Sequence, residues 1–464
     1  MASIPDFSAG AMENWGLITY REAFILYNEQ KSASTDKESV TDVIAHELAH
    51  QWFGDIVTMK WWTDLWLNEG FATHIQYKGV ESIFPQMRFL DRQVVDATMK
   101  AFGVDAVETS KALLATCTNP SHDLNFGTIA YQKGASILRM IEKFMPEGKF
   151  QEGVQQYLKD HIYANAESKD LWDALNAKYN GNANATIAEI MENWTTKPGF
   201  PVVTFDGQSL SQERFFFNTE GKSTFCFVFN DSEFKFLTIS APEDSTIWQI
   251  PISISYPSDA NPSMDPQPQH WLTKKTDDTF KADAGKTYLI NVDQAGYYRV
   301  NYGEENWKAL TNILMLDPTD KISPINRAQL IDDVLHMART NKVNYTVAFE
   351  LVQYLSIEED FLPWEAAFKS LNYVYDRLDG GETKELVQSF MVSILDQRYD
   401  KLGFETIESD GHLDILGRRS ASSWMCKLNY EKCLTSAQAK FTDFLAQKDI
   451  DPEIKDIVYQ TGMN

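Results

Sequence analysis

The sequence predicts a multidomain α+β chain: a mostly helical first unit, then a small β-sandwich, then an α-helical, superhelical last unit. Three observations carry this reading. After an extended start, apolar residues recur at helical spacing through residues 1–198. Between 199 and 303 the texture changes to short β-branched and aromatic runs split by Gly, Asn, Asp and Pro, and from 304 to 464 helical periodicity returns. At 464 residues the chain exceeds what one hydrophobic core holds, and a prior of roughly 150 residues per domain gives three.

In the first unit, Leu17-Ile18-Thr19-Tyr20-Arg21-Glu22 has strand character, and Thr35-Asp36-Lys37-Glu38 fits a capping box that opens a helix. That helix carries His46-Glu47-Leu48-Ala49-His50. His46 and His50 fall one turn apart on one face, so two imidazole nitrogens can reach one metal at ~2.0 to 2.1 Å. Glu47 lies beside that face, where its carboxylate can take a proton from a water the metal activates. Ile44, Ala45, Leu48, Ala49 and Trp52 cover the other sides, which predicts a helix buried nearly all round. The stretch Trp61 to Ala72 reads as a second buried, amphipathic helix presenting Glu69 as a third ligand. Tyr131 precedes a helix whose Ile137, Leu138, Ile141 and Phe144 form an apolar stripe.

In the middle unit the candidate strands are Pro201–Phe205, Arg214–Phe217, Thr224–Phe229 and Trp248–Ile254, with Pro257–Gln269 as a loop. In the last unit the clearest helical pattern is Asn326–Leu335, and stacked helix pairs are the expected arrangement.

Bulk properties exclude several classes of function. A net charge of -24 with no basic stretch argues against nucleic acid, which would repel the chain. No apolar run reaches the roughly eighteen residues of a membrane span, and Met1-Ala2-Ser3-Ile4-Pro5 lacks the form of a signal peptide, so the chain as written is expected neither to span a membrane nor to direct its own secretion. Four cysteines are too few for a disulfide scaffold, although Cys426 and Cys433 are close enough in sequence to close a small loop. Sequons at Asn184, Asn193, Asn230 and Asn344 match the number expected by chance and decide nothing.

Ahead of the metal helix stands Gly10-Ala11-Met12-Glu13-Asn14. Taken in order with His-Glu-x-x-His and the distant Glu69, it resembles the zinc aminopeptidases of the aminopeptidase N type. Trp61–Ala72, Tyr131–Ala135, Gln294–Tyr302 and Asn326–Asp333 are similar to further stretches of that family. The resemblance implies a thermolysin-like zinc peptidase fold for 1–198. It also implies one Zn2+ held by His46, His50 and Glu69, peptide substrates with a free N-terminus, and Glu47 as general base.

By the same resemblance Tyr131 donates a hydrogen bond to the oxyanion, and Gly10, Ala11, Met12 and Asn14 join Glu13 in binding the substrate backbone. An acid at Glu13, near a zinc site, can pair with a peptide's α-ammonium and so restrict cleavage to the chain end. The stretch around Cys426 and Cys433, with Trp424 before it, resembles a disulfide loop of the membrane-anchored, outward-facing members. That favours the outer face of the plasma membrane or secretion, with the cytoplasm as the alternative.

The resemblance departs at Gly127, where the family usually has Asp, and at Asp55, which stands for a common Asn. It also implies an N-terminal β-domain and a longer helical end than are written here. The expectation is therefore a piece of an aminopeptidase, incomplete at both ends, anchored to a membrane only through segments not written here and able to form a homodimer. A non-catalytic surface receptor or binding protein with the peptidase fold, an inactive fragment, and epoxide hydrolysis on the same scaffold are the competing readings.

Overall fold

The computed structural model describes residues 1–120, 126–181, 184–217, 244–378 and 380–463, together with the backbone of the strands Cys226–Asn230 and Glu233–Leu237. The chain opens with a three-stranded sheet of β1 (Ala2–Ile4), β2 (Ala11–Met12) and β3 (Thr19–Arg21). β3 is central, parallel to β1 and antiparallel to β2, so β2 is an edge strand. Tyr20 on β3 is fully buried, which accounts for the strand pattern at Leu17–Glu22. The Arg21 guanidinium donates to the carbonyls of Phe7 and Ser8, tying down the loop between β1 and β2.

Helix α1 spans Ser34–His50 and α2 spans Trp66–Ile83. α1 begins one residue before the expected capping box. Its N-cap is Ala33, whose N–H donates to the Asp36 carboxylate at 2.8 Å, and Thr35 lies inside the helix. Glu38 is drawn away from any capping role by Arg92 and by His412, whose Nε2 lies 2.8 Å from it. Ser34 binds the Glu453 carboxylate through both its N–H and its hydroxyl, at 2.6 and 2.7 Å. The start of the metal helix is therefore clamped from the far end of the chain.

The second helix is buried as expected, but α1 is not buried all round. α2 is buried without a break from Trp66 to His74, because it lies between α1 and the helix Gly134–Phe144. α1 packs against α2, β2 and the helix His412–Lys427, yet Leu48 near its end and Trp52 just beyond it are 43% and 52% exposed. Ile137, Leu138, Ile141 and Phe144 are all buried, as their spacing indicated. Before them runs a single π-helical turn, Ile129–Lys133, which contains Tyr131. Upstream of it stand α3 (Phe89–Gln93) and α4 (Met99–Asp105).

The middle region holds small sheets. A four-stranded one runs Thr276–Asp277, Leu210–Arg214, Pro201–Phe205, Arg299–Tyr302, with the last two parallel. The strand expected at Arg214–Phe217 in fact ends at Arg214: the Phe217 N–H bonds to the Ala106 carbonyl just beyond α4, and Phe215 turns into the core. The run Trp248–Ile254 divides into Ile250–Ile252 and Ile254–Ser255. At Ser253 the chain changes partners, its hydroxyl and carbonyl taking the N–H groups of Val292 and Asn291. Cys226–Asn230 pairs with Glu233–Leu237, while Thr224, Phe225 and the side chains of Cys226 and Asn230 lie outside the described residues. Pro257–Gln269 is irregular, as expected.

From Glu304 onward the chain is helical, the best-defined element being Pro324–Arg339, capped by the Ser323 hydroxyl. Cys426 and Cys433 form a disulfide that closes the turn between the helices His412–Lys427 and Glu431–Leu445. Among the described residues no helix is long and apolar enough to cross a membrane.

Candidate metal centre

α1 and α2 bring three donors to one point. The Nε2 atoms of His46 and His50 lie 3.0 Å apart, and Glu69 Oε2 lies 3.2 Å from each. Their second ring nitrogens are occupied. His46 Nδ1 meets the Gln76 carboxamide oxygen at 2.6 Å, and His50 Nδ1 meets the Phe53 carbonyl at 2.9 Å. A carbonyl oxygen can only accept, so both Nδ1 atoms carry the proton and both Nε2 atoms present lone pairs to each other. Two facing lone pairs and a carboxylate oxygen call for a cation between them. The spacing fits a metal ion, because ligands at ~2.0 to 2.1 Å from a tetrahedral centre stand about 3.3 Å from one another. Other groupings of three such side chains are absent among the described residues.

Burial sharpens the electrostatics. His50 and Glu69 are 1% and 6% exposed. Burial alone would raise the Glu69 carboxyl, but the two imidazoles beside it outweigh burial and hold the group at about 2, ionised and able to ligate a cation. Glu47 is buried with one carboxylate oxygen unpartnered, and burial pushes its pKa up to about 7 despite the two imidazoles nearby.

Of the remaining expected residues, Glu13 and Tyr131 reach the centre, while Gly10, Ala11, Met12 and Asn14 lie on or beside β2. Glu13 Oε1 is 4.0 Å from His50 Nδ1, and its carbonyl accepts from the Gln51 carboxamide. Gly10 and Ala11 follow β3 in register, the Gly10 carbonyl taking the Arg21 N–H at 2.9 Å and Ala11 standing opposite Tyr20. Met12 is 41% exposed, and Asn14 braces the turn by donating to the Thr19 hydroxyl at 3.2 Å. The Tyr131 ring stacks on His46 with centroids 5.8 Å apart, and burial together with a hydrogen bond to Glu69 raises its phenol far above the usual value.

Sequence reasoning missed several neighbours. Gln76 lies two turns beyond Glu69 on the same face of α2, a spacing that could have revealed it, and it links His46 onward to Asp42 at 2.6 Å. Gly54 has φ +143°, and a side chain there would meet His50 Nδ1 at 3.3 Å, so only glycine lets the Phe53 carbonyl turn back onto His50. Tyr20 buries an unpartnered hydroxyl near Glu47, its pKa pushed up to about 12 by burial and by that carboxylate. Asp55 is raised to about 6 by burial and by Glu13, which places this departure from the family pattern at the site itself.

Comparison with known proteins agrees with this geometry. Residues 1–194 match the peptidase family M1 domain, and residues 287–464 match the ERAP1-like C-terminal domain. Among curated relatives, aminopeptidase N of Bos taurus is 35% identical over 98% of this chain and 47% of its own length. Aminopeptidase Ey of Gallus gallus is 35% identical over 98% and 46%, and glutamyl aminopeptidase of Rattus norvegicus 34% over 99% and 47%. The chain thus spans about half the length of the curated relatives it matches. Both ends of the chain match domains of one peptidase group, and its relatives are named for aminopeptidase activity: the chain belongs to peptidase family M1.

Proposed function

We propose that the chain is the catalytic part of a zinc-dependent aminopeptidase that removes the N-terminal residue of peptides, with Glu47 as general base. The observation that supports this best is the triangle of two lone-pair nitrogens and one carboxylate oxygen, beside a buried carboxylate with a free oxygen. Two imidazoles and one carboxylate are a donor set suited to zinc. A zinc ion held by His46, His50 and Glu69 would supply Lewis acidity to the peptide carbonyl and to the attacking water.

The side chains account for the remaining steps. Glu47 accepts the water's proton on its unpartnered oxygen, and a carboxyl near pKa 7 can pass that proton to the leaving amine at neutral pH. Tyr131 stays protonated and so acts as a donor to the oxygen on which charge develops, a contact worth ~3 to 4 kcal/mol where water is excluded. The peptide adds as a strand along the open edge of β2, and Glu13 holds its α-ammonium, so one residue leaves per turnover. In the same reading, 1–198 is a thermolysin-like catalytic domain, 199–303 a β-sandwich and 304–464 a helical superhelix. The Cys426–Cys433 disulfide supports an oxidising compartment, hence the outer face of the plasma membrane or secretion over the cytoplasm.

The test uses the full chain, a peptide with a free N-terminus and the same peptide N-acetylated. The expected result is release of single residues from the free peptide alone, lost on chelation and restored by zinc. Release from the acetylated peptide would remove the role of Glu13. Tight binding without release would favour a receptor built on the same fold.

A further inference from the structure

The strongest unexplained feature next to the site is a fully buried charge pair two residues from Tyr131. We propose that the Lys133–Asp105 ion pair is a positioning device for Tyr131, through which the backbone at Gly199 and the side chain of Tyr297 fix where the phenol hydroxyl points. The inference rests on the aminopeptidase reading and adds to it the means by which the oxyanion donor is held.

Tyr131 occupies the middle of the π-helical turn Ile129–Lys133, where the Gly134 N–H reaches five residues back to the Ile129 carbonyl. Such a turn is less stable than α-helix and persists where its surroundings impose it. Two contacts do so here. On one flank, Gly134 lies against Gly70, the residue after Glu69: a Cβ on either would stand 3.0 Å from the other's Cα. The turn is therefore pressed backbone to backbone onto the helix that carries Glu69.

On the other flank, Lys133 and Asp105 are both 0% exposed and 2.8 Å apart. Lys133 Nζ also donates to the Gly199 carbonyl at 3.0 Å. Asp105 accepts from the Gly199 N–H at 2.8 Å, from the Tyr297 hydroxyl at 3.2 Å and from the Ser110 hydroxyl. The Lys133 ammonium lies 5.6 Å from the centre of the Tyr297 ring. Every partner of the pair sits on a separate stretch of chain, from the end of α4 to the segment before the strand Arg299–Tyr302. Desolvating two charges costs more than packing apolar side chains of similar size, so core filling alone does not favour this pair. What it supplies is direction, because the hydrogen bonds fix the C-terminal end of the turn while the Gly70 contact fixes its side. Between them the Tyr131 ring rests on His46.

The test compares full-length Lys133→Met and Tyr297→Phe with the unchanged chain, each also in a Tyr131→Phe background. Zinc content and melting temperature are recorded for each, together with a crystal structure of the folded variants. For Lys133→Met, kcat is expected to fall about 10- to 100-fold with KM within about 3-fold and zinc retained, and for Tyr297→Phe about 3-fold. In the Tyr131→Phe background neither change should cost more than about 2-fold further, because both act through the lost hydroxyl. The crystal structure should show the Tyr131 ring displaced from His46. A folded Lys133→Met with full kcat, or a loss that multiplies in full with Tyr131→Phe, overturns the proposal. If Lys133→Met does not fold, Tyr297→Phe decides by the same criteria. A wild-type chain without activity would count against the aminopeptidase reading itself, and the position of the Tyr131 ring in the variants would then decide this inference separately.

Discussion

The metal centre and the helical C-terminal region differ in how they partner their buried carboxylate oxygens. In the C-terminal region Glu358 forms a two-pronged pair with Arg327 at 2.6 and 3.0 Å, and Arg299 and His336 hold Asp332 well below the usual carboxylate range despite its burial, although burial raises its neighbour Asp333 to about 7. Around the metal centre, Glu47 and Asp55 each bury a carboxylate oxygen without a partner, and burial raises both groups, to about 7 and about 6. The first arrangement holds the Glu358 carboxylate in place between two guanidinium N–H groups. The second leaves acids ready to take up a proton, at a cost in stability that a structural site would have no reason to bear.

The comparison breaks most visibly under substitution at the site. His46→Ala should lose both bound metal and activity. Glu47→Gln should keep the metal while activity falls about 10²- to 10⁴-fold, with a melting temperature equal to or above that of the unchanged chain, since it removes a buried carboxylate oxygen that has no partner. Metal analysis, steady-state rates and calorimetry on the same samples check this. A Glu47→Gln chain of normal rate would place the base elsewhere.

The opposite pattern is expected at Arg327. Arg327→Met strands a buried Glu358 carboxylate and should destabilise by about 3 to 5 kcal/mol in denaturant unfolding, while the folded fraction keeps its kcat. A stability loss below about 1 kcal/mol would mean that the pair is not locked as described.

A smaller effect sharpens the contrast through pH. Burial would raise Glu142, but His74 and Lys78 outweigh it and hold the group at about 2. Its folded pKa is below its unfolded value, so its stabilisation is present above about pH 4.5 and lost as pH falls through about 2. Glu142→Gln should therefore lower the melting temperature at pH 7 by a few degrees and leave it unchanged near pH 2. Equal losses at both pH values would assign the effect to packing.

Much of the centre was legible because i, i+4 spacing on a helix converts directly into a shared face: His46, His50 and the neighbouring Glu47 needed only the helix to exist. Glu69, Glu13 and Tyr131 gathered there through packing of distant segments, which resemblance to a known family indicated and spacing alone could not. Gln76 was open to the same spacing argument from Glu69, whereas the Phe53 carbonyl and the Tyr20 hydroxyl were not legible, because they depend on how α1 meets the turn after it and the first sheet. The same limit explains why Leu48 and Trp52 are exposed on a helix expected to be buried nearly all round. Periodicity shows that a helix has an apolar face, and only the neighbours decide which faces are covered. The strand ending at Arg214 follows the same logic, since the bond that ends it comes from Ala106.

Zinc-edge anomalous diffraction from crystals of the full chain, grown without chelator, tests the metal centre most directly. The expected result is one strong peak within bonding distance of His46 Nε2, His50 Nε2 and Glu69 Oε2, with the Glu47 carboxylate alongside and not bound. A map with no peak between these atoms after zinc soaking, or with its ion elsewhere, would contradict it.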